Sequence, residues 1–258
     1  MTPQDKAVHF KSLHAKAFLM PNAWDAGSAK MLAGLGFQAL ATSSGAAAGV
    51  LGRKDGQLTR AEAIAHAQAI VESVDIPVSA DLENGFGHTA EDVAETIRLA
   101  TTIGLAGGSI EDASGDASKP LYDFDHAVER VAAAVAAARA SRYPFTLTAR
   151  AENYLRGNPN LDDTIRRLQA FEKAGADVLF APGLPDLAAV RAVCAALSKP
   201  VSFMVGIKGK SFSVAELEAA GVKRISLATS LYRAAMKGAR DAAQEVFEHG
   251  TFTYLDRL

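Results

Sequence analysis

Acidic side chains and one arginine recur at the ends of short apolar runs, and their spacing suits chemistry on a small anion. Asp81 and Glu83 open the stretch Asp81-Leu82-Glu83-Asn84-Gly85-Phe86-Gly87, directly after Ile76-Pro77-Val78-Ser79-Ala80. That apolar run has the length and flanking turn residues of a buried strand, so both carboxylates arrive at a strand end. Side chains alternate along a strand, which predicts that Asp81 and Glu83 point the same way. Two like charges held that close repel unless a proton or a cation sits between them. Oxygen ligands beside a Gly-x-Gly turn suit a hard divalent ion such as Mg2+, with Mn2+ as an alternative. Mg2+ takes one or two protein carboxylates and keeps several waters. The expectation is a metal site at a strand end.

Glu111 closes Gly107-Gly108-Ser109-Ile110-Glu111-Asp112, one strand and helix further on. Adjacent parallel strands would set it beside Asp81 and Glu83. Each acid alone reads as a helix N-cap. Their convergence at neighbouring strand ends favours metal ligation by Asp81, Glu83 and Glu111. Arg150, in Thr148-Ala149-Arg150-Ala151-Glu152, ends another apolar run. It has two readings: a structural ion pair with Glu152 or a mouth carboxylate, or planar donors that hold a substrate carboxylate or a developing oxyanion. The Gly- and Ala-rich residues 45–56 read as a long connection of the kind that forms lids. Lys208 and its neighbours Gly206-Ile207-Lys208-Gly209-Lys210-Ser211 lack the spacing of a phosphate-binding loop and read as a basic turn. His88 reads as a solvated histidine, and Cys194 as a small residue of a helix.

The elements that must position these groups follow a regular alternation. Strand-like cores occur at Ala17-Phe18-Leu19-Met20, Gln38-Ala39-Leu40-Ala41-Thr42, Val78-Ser79-Ala80, Gly108-Ser109-Ile110, Phe145-Thr146-Leu147-Thr148, Val178-Leu179-Phe180, Val201-Ser202-Phe203-Met204 and Arg224-Ile225-Ser226-Leu227. Most are followed by a polar turn and a segment of helical period, and several of those segments close on glycine, as at Gly175 and Gly221. Eight such alternations without a linker predict one (β/α)8 barrel over residues 1–258. The runner-up, a doubly wound open sheet, lacks the Gly-x-Gly-x-x-Gly fingerprint at the first strand-helix junction. In a barrel all the strand ends share one mouth, lined here by Asn22, Asp25, Ser43, Ser44, Asp81, Glu83, Glu111, Asp112, Arg150, Glu152 and Lys208.

Composition narrows the function classes. A formal net charge of -2, from 27 basic and 29 acidic residues without long runs, gives no footprint for nucleic acid or an anionic membrane. One cysteine excludes an internal disulfide framework and a Cys-rich zinc site. No apolar stretch is long enough to span a bilayer, and the first residues lack the layout of a secretory signal, so a cytoplasmic protein is expected.

With these residues in view, the chain resembles the isocitrate lyase and phosphoenolpyruvate mutase superfamily. Pro21-Asn22-Ala23-Trp24-Asp25, Ser43-Ser44-Gly45, the Asp81 to Gly87 stretch, Ile110-Glu111-Asp112, Ala149-Arg150-Ala151-Glu152 and Lys173-Ala174-Gly175-Ala176-Asp177 carry the resemblance. It implies a barrel with Mg2+ on Asp81, supported by Glu83 and Glu111 partly through water. It implies substrates that are small 2-oxo or 2-hydroxy acids, held by a turn containing Ser43, Ser44 and Gly45 and by Arg150 with Glu152. Asp55 falls in the gating loop, and Asp55 and Arg150 are the implied catalytic residues. A homodimer or homotetramer that exchanges its last helix, around residues 231–247, is also implied.

The departures narrow the chemistry. Lyases of the isocitrate type place a Lys-Lys-Cys-Gly-His run after strand four, where this chain has Ala113-Ser114-Gly115-Asp116-Ala117-Ser118-Lys119-Pro120. Phosphonate-processing relatives carry an Asn or Lys in that loop and a His after strand six, where Ala113 and Ala181-Pro182 stand. Carbon–carbon cleavage beside a metal-stabilised pyruvate enolate, such as decarboxylation of oxaloacetate, needs no cysteine acid there. The alternatives are phosphonopyruvate hydrolase or mutase chemistry on a P–C bond, a 2-oxo-acid binding protein without turnover, and a phosphosugar barrel using Lys208 to Ser211.

Overall fold

The computed structural model describes residues 1–257 as eight parallel strands alternating with helices. The strands are β1 (Phe18–Met20), β2 (Leu40–Ala41), β3 (Val78–Asp81), β4 (Gly107–Glu111), β5 (Thr146–Arg150), β6 (Val178–Phe180), β7 (Val201–Met204) and β8 (Arg224–Ser226). The helices are α1 (Pro3–Leu13), α2 (Ala26–Gly34), α3 (Ser44–Val50), α4 (Arg60–Ser73), α5 (Ala90–Thr102), α6 (Phe124–Arg139), α7 (Leu161–Lys173), α8 (Leu187–Ala195), α9 (Val214–Ala219) and α10 (Ser230–His249). Sheet order runs β1-β8-β7-β6-β5-β4-β3-β2, and a parallel bridge between Asn22 and Ala41 brings its two ends together. This is the (β/α)8 barrel, with the expected strands shifted at their ends by a residue or two.

Local chemistry explains where the helices start and stop. Thr59 with Glu62, Thr89 with Asp92, and Ser213 with Glu216 form reciprocal capping boxes that satisfy otherwise unpaired backbone N–H groups. At the end of α7 the chain turns into β6 through Gly175, whose φ of 106° is open to glycine and strained for other residues. A Cβ there would also sit 2.9 Å from Val135, so the same glycine lets α6 pack closely. Two apolar layers result. One gathers Leu40, Ile70, Val78, Ile97, Leu105 and Leu147, and the other Leu168, Phe171, Leu179, Val190, Phe203 and Ile225. Burying each of these side chains contributes about 1.5–3 kcal/mol.

Two expectations need correction. Residues 45–56 are not one irregular lid: Ser43 caps α3, its Oγ accepting from the Ala46 N–H at 3.3 Å. Gly49 lets α3 lie against Tyr232, whose ring would be 2.7–2.9 Å from any Cβ at that position. Only the turn beyond α3 remains irregular. Strand alternation also stops short of Glu83, because β3 ends at Asp81 and Glu83 has a left-handed φ of 49°. Cys194 is a half-buried helical residue as expected, and burial pushes its thiol up to about 11.

Candidate active site

The mouth of the barrel is organised by Arg150 at the end of β5. Its Nη1 donates to Asp81 Oδ1 at 3.0 Å and stands 3.1 Å from Glu111 Oε2. Its Nε and Nη2 both reach Glu152 Oε1, at 3.1 and 2.7 Å, and the guanidinium lies 5.1 Å above the centre of the Phe180 ring. Burial pushes Arg150 down, but Glu152, Glu111 and Asp81 outweigh it and hold the guanidinium well above its ordinary range. Arg150 is therefore charged at any accessible pH and fixed in orientation.

Asp81 is held from both sides. Its Oδ2 accepts from Ser44 Oγ at 2.9 Å and from the Ser44 N–H at 3.3 Å, so the start of α3 points at this carboxylate. Glu111 is buried and takes a second cation, Arg156, whose Nη2 lies 3.0 Å from Oε1. Burial pushes Glu111 upward. Arg150 pulls it down, and Glu152 and Asp81 push it up again. Glu83 is pushed up to about 7 by burial first and then by Asp81 and Asp55. Its Oε1 is buried without a hydrogen-bond partner.

Around these groups lie two adjoining cavities. The smaller, about 260 Å³, takes in Ser44, Gly45, Asp55, Asp81 and Arg150. That is below the usual size of a pocket for a drug-sized ligand and fits a small acid. The wider one is lined by Glu83, Glu111, His88 and Arg156, and Asp55 lies on both. Asp55 stands on an exposed turn, and its carboxyl carbon would lie 3.4 Å from a Cβ at Gly45.

Most of the expected site residues are thus brought together, with four refinements. Among the described residues no three Asp, Glu, His or Cys side chains form a metal-ligand cluster. An Arg150 nitrogen bridges Asp81 and Glu111, and Glu83 faces the wider cavity. Glu152, expected to touch substrate, is fully buried beneath Arg150, with Oε2 3.3 Å from Arg156 Nε. Asn22, Asp25 and Asp112 are tied into the scaffold, and Asn22 also lines the smaller cavity. Asn22 bonds Thr42 and Leu227, Asp25 caps α2, and Asp112 takes the Glu152 N–H and Arg167. Arg156 was missed, although it lies four residues after Glu152, the spacing of one helical turn.

The donor set still fits a hard divalent ion. It is all oxygen, it offers the Asp81 carboxylate, with Asp55 across the smaller cavity, and it leaves the orphaned Glu83 Oε1 close by. One direct carboxylate with further acids behind water is an ordinary Mg2+ arrangement.

Comparison with known proteins matches residues 10–247 to the family model described as Phosphoenolpyruvate phosphomutase. A structure from Burkholderia cenocepacia J2315, provisionally described as a lyase/mutase, shares 50% identity, with a TM-score of 0.97 over 99% of this chain and 92% of that one. Oxaloacetate decarboxylase of Paraburkholderia xenovorans is 32% identical, the match covering 88% of this chain and 77% of the relative. 2-Methylisocitrate lyase of Escherichia coli is 30% identical, over 84% of this chain and 75% of the relative.

Proposed function

This chain belongs to the phosphoenolpyruvate phosphomutase family of the isocitrate lyase superfamily, and from that premise we propose that it is a divalent-metal-dependent carbon–carbon lyase. Its substrate is a small 2-oxo or 2-hydroxy acid, and oxaloacetate is the first choice. One observation carries the reading: Asp81, Glu111 and Glu152 surround the single guanidinium of Arg150 at the edge of a cavity sized for such an acid.

Superfamily members use a divalent metal. Asp81 would hold Mg2+ or Mn2+, with Glu83 and Glu111 as supporting acids, and the ion would supply a Lewis acid for the 2-oxo group. The chain's own residues do the rest. The Ser43-Ser44-Gly45 turn receives the substrate carboxylate through the Gly45 N–H, because the Ser44 N–H already meets Asp81 and the Ala46 N–H meets Ser43. Arg150 faces the oxygen on which negative charge develops as the bond breaks, and its three carboxylate contacts keep it there without reorganisation. In decarboxylation the C3–C4 bond breaks, CO2 leaves, the electron pair stays as pyruvate enolate, and a proton delivered to C3 gives pyruvate. Asp55, on the exposed turn and lining both cavities, is the second catalytic group of this reading.

Two relatives' names support this reading, oxaloacetate decarboxylase and 2-methylisocitrate lyase. The loop at residues 113–120 carries neither cysteine nor histidine, which favours cleavage that needs no cysteine acid there. Helix α10 supports an oligomer through helix exchange: none of its residues is buried, and Met236 and Phe247 are 51% and 91% exposed. No described helix is long and apolar enough to cross a membrane. The test is a panel of oxaloacetate, 2-methylisocitrate and phosphonopyruvate with Mg2+, following pyruvate release. Turnover of oxaloacetate supports the reading. Turnover of phosphonopyruvate alone, or tight binding of all three without turnover, overturns it.

A further inference from the structure

Besides Arg150 and the exposed Arg233, the cavity with Ser44 and Asp81 has a buried guanidinium at its floor, and no acid stands beside that one. Arg224, on β8, is 3% exposed and lines the cavity. Its Nε donates to Ser202 Oγ at 3.1 Å and its Nη2 to Thr148 Oγ1 at 2.8 Å, while Nη1 has no partner. Arg150 meets three carboxylates, whereas Arg224 makes no ion pair among the described residues. Burial pushes it down to about 9, so it is still a cation at neutral pH. His14 lies close enough to feel that charge. Burial and then Arg224 push it down to about 3, so it is neutral there.

A buried charge without a counter-ion is costly, and natural interiors compensate it. Barrel interiors are commonly filled by bulky branched residues. This floor has Ser79, Ser109, Ser202 and Ser226 instead, which leaves space and offers hydroxyl donors. Asp81 pairs with Ser109 and Ser109 with Thr148 across β3, β4 and β5, and Thr148 is the Arg224 partner. Arg224 and Asp81 thus line one cavity rather than separate chambers.

We propose that Arg224 is a second anion contact of this cavity, a specificity-determining residue that takes a carboxylate of the bound acid and, without one, a halide. The ligand class is then a short dicarboxylic acid, one carboxylate at the Ser44-Gly45 turn and the other at the floor. That substrate assignment rests on the small-acid reading above, whereas the anion contact does not.

The test uses wild-type protein in bromide. Anomalous diffraction is expected to place bromide beside Arg224, and melting temperature is expected to be higher in bromide than in gluconate at equal ionic strength. Arg224→Met should raise the bromide concentration for half-maximal protection by roughly tenfold or more, the loss expected for one charge-assisted hydrogen bond. Malonate displacing the bromide where pyruvate does not supports the dicarboxylate class. Bromide retained beside bound malonate keeps the anion contact and overturns its assignment to substrate. Absence of bromide at Arg224, with equal melting in both salts, overturns the proposal. Failure to turn over any acid would leave the bromide result untouched, so the two readings fail separately.

Discussion

Arg150 donates to Asp81 across 69 positions of sequence, at 3.0 Å, and thereby ties the end of β5 to the end of β3. The same nitrogen stands 3.1 Å from Glu111, so one guanidinium gathers the acids that would otherwise repel. This makes Arg150 the keystone of the mouth and, in the proposed mechanism, the cation that a substrate meets.

Arg150→Lys tests that double role. A lysine ammonium cannot reproduce the planar fork that meets Asp81, Glu111 and Glu152 together. Turnover is expected to fall on the order of 100- to 1000-fold, as for loss of one preorganised donor. Steady-state kinetics check this. A variant with kcat within a factor of about three of wild type would place the chemistry elsewhere.

Glu152→Gln separates positioning from binding. Glu152 is fully buried and contacts Arg150 and Arg156, so in the proposed mechanism it acts on substrate only through these two guanidiniums. Removing its charge is expected to lower kcat more than it raises KM. It should also cost about 1–3 kcal/mol of stability through the weakened buried contact. Denaturant unfolding alongside kinetics distinguishes this from a direct substrate contact, which would show chiefly in KM.

Glu83 sets a pH dependence whose direction is fixed. Its carboxyl is pushed up to about 7, so it is protonated below that pH and charged above it. If the charged form supports the metal through water, activity rises through a limb near pH 7 and levels off above it. Glu83→Gln should abolish the limb. Arg156 pulls Glu83 down, so Arg156→Ala should move the limb to higher pH. A limb that is unchanged in Glu83→Gln assigns it to another group.

His14 affects stability rather than rate. Its folded value of about 3 lies below the ordinary 6.5, so below 6.5 the unfolded chain takes up a proton that the folded chain refuses. This contribution is fully present above 6.5 and is lost as pH falls toward 3. Melting temperature should therefore drop less on acidification in His14→Gln than in wild type. Parallel curves would remove His14 from the acid lability.

The barrel was legible because each strand is a short apolar run bounded by turn residues, and Asp81, Ser44 and Arg150 stand at run ends. What escaped depends on contacts far apart in sequence. Residues 44–50 look like a Gly- and Ala-rich loop, and their helix is secured by the Ser43 cap and by Tyr232 near the other end of the chain. Glu83 broke the strand period because its backbone turns left-handed immediately after β3. Arg156 carries no motif of its own and becomes a site residue only when Glu111 is placed beside it. Arg224 read as an unremarked strand residue, since nothing in its neighbours signals that it faces inward without an acid.

The central claim is that Asp81 holds a divalent ion on which the cleavage of a small oxo acid depends. Pyruvate release from oxaloacetate tests it most directly, measured in wild type and Asp81→Ala, each with Mg2+ and with EDTA. The expected result is fast release only by wild type with Mg2+, the other three arms remaining near the uncatalysed decay. Equal slow rates in all four arms, or Asp81→Ala matching wild type, would contradict it.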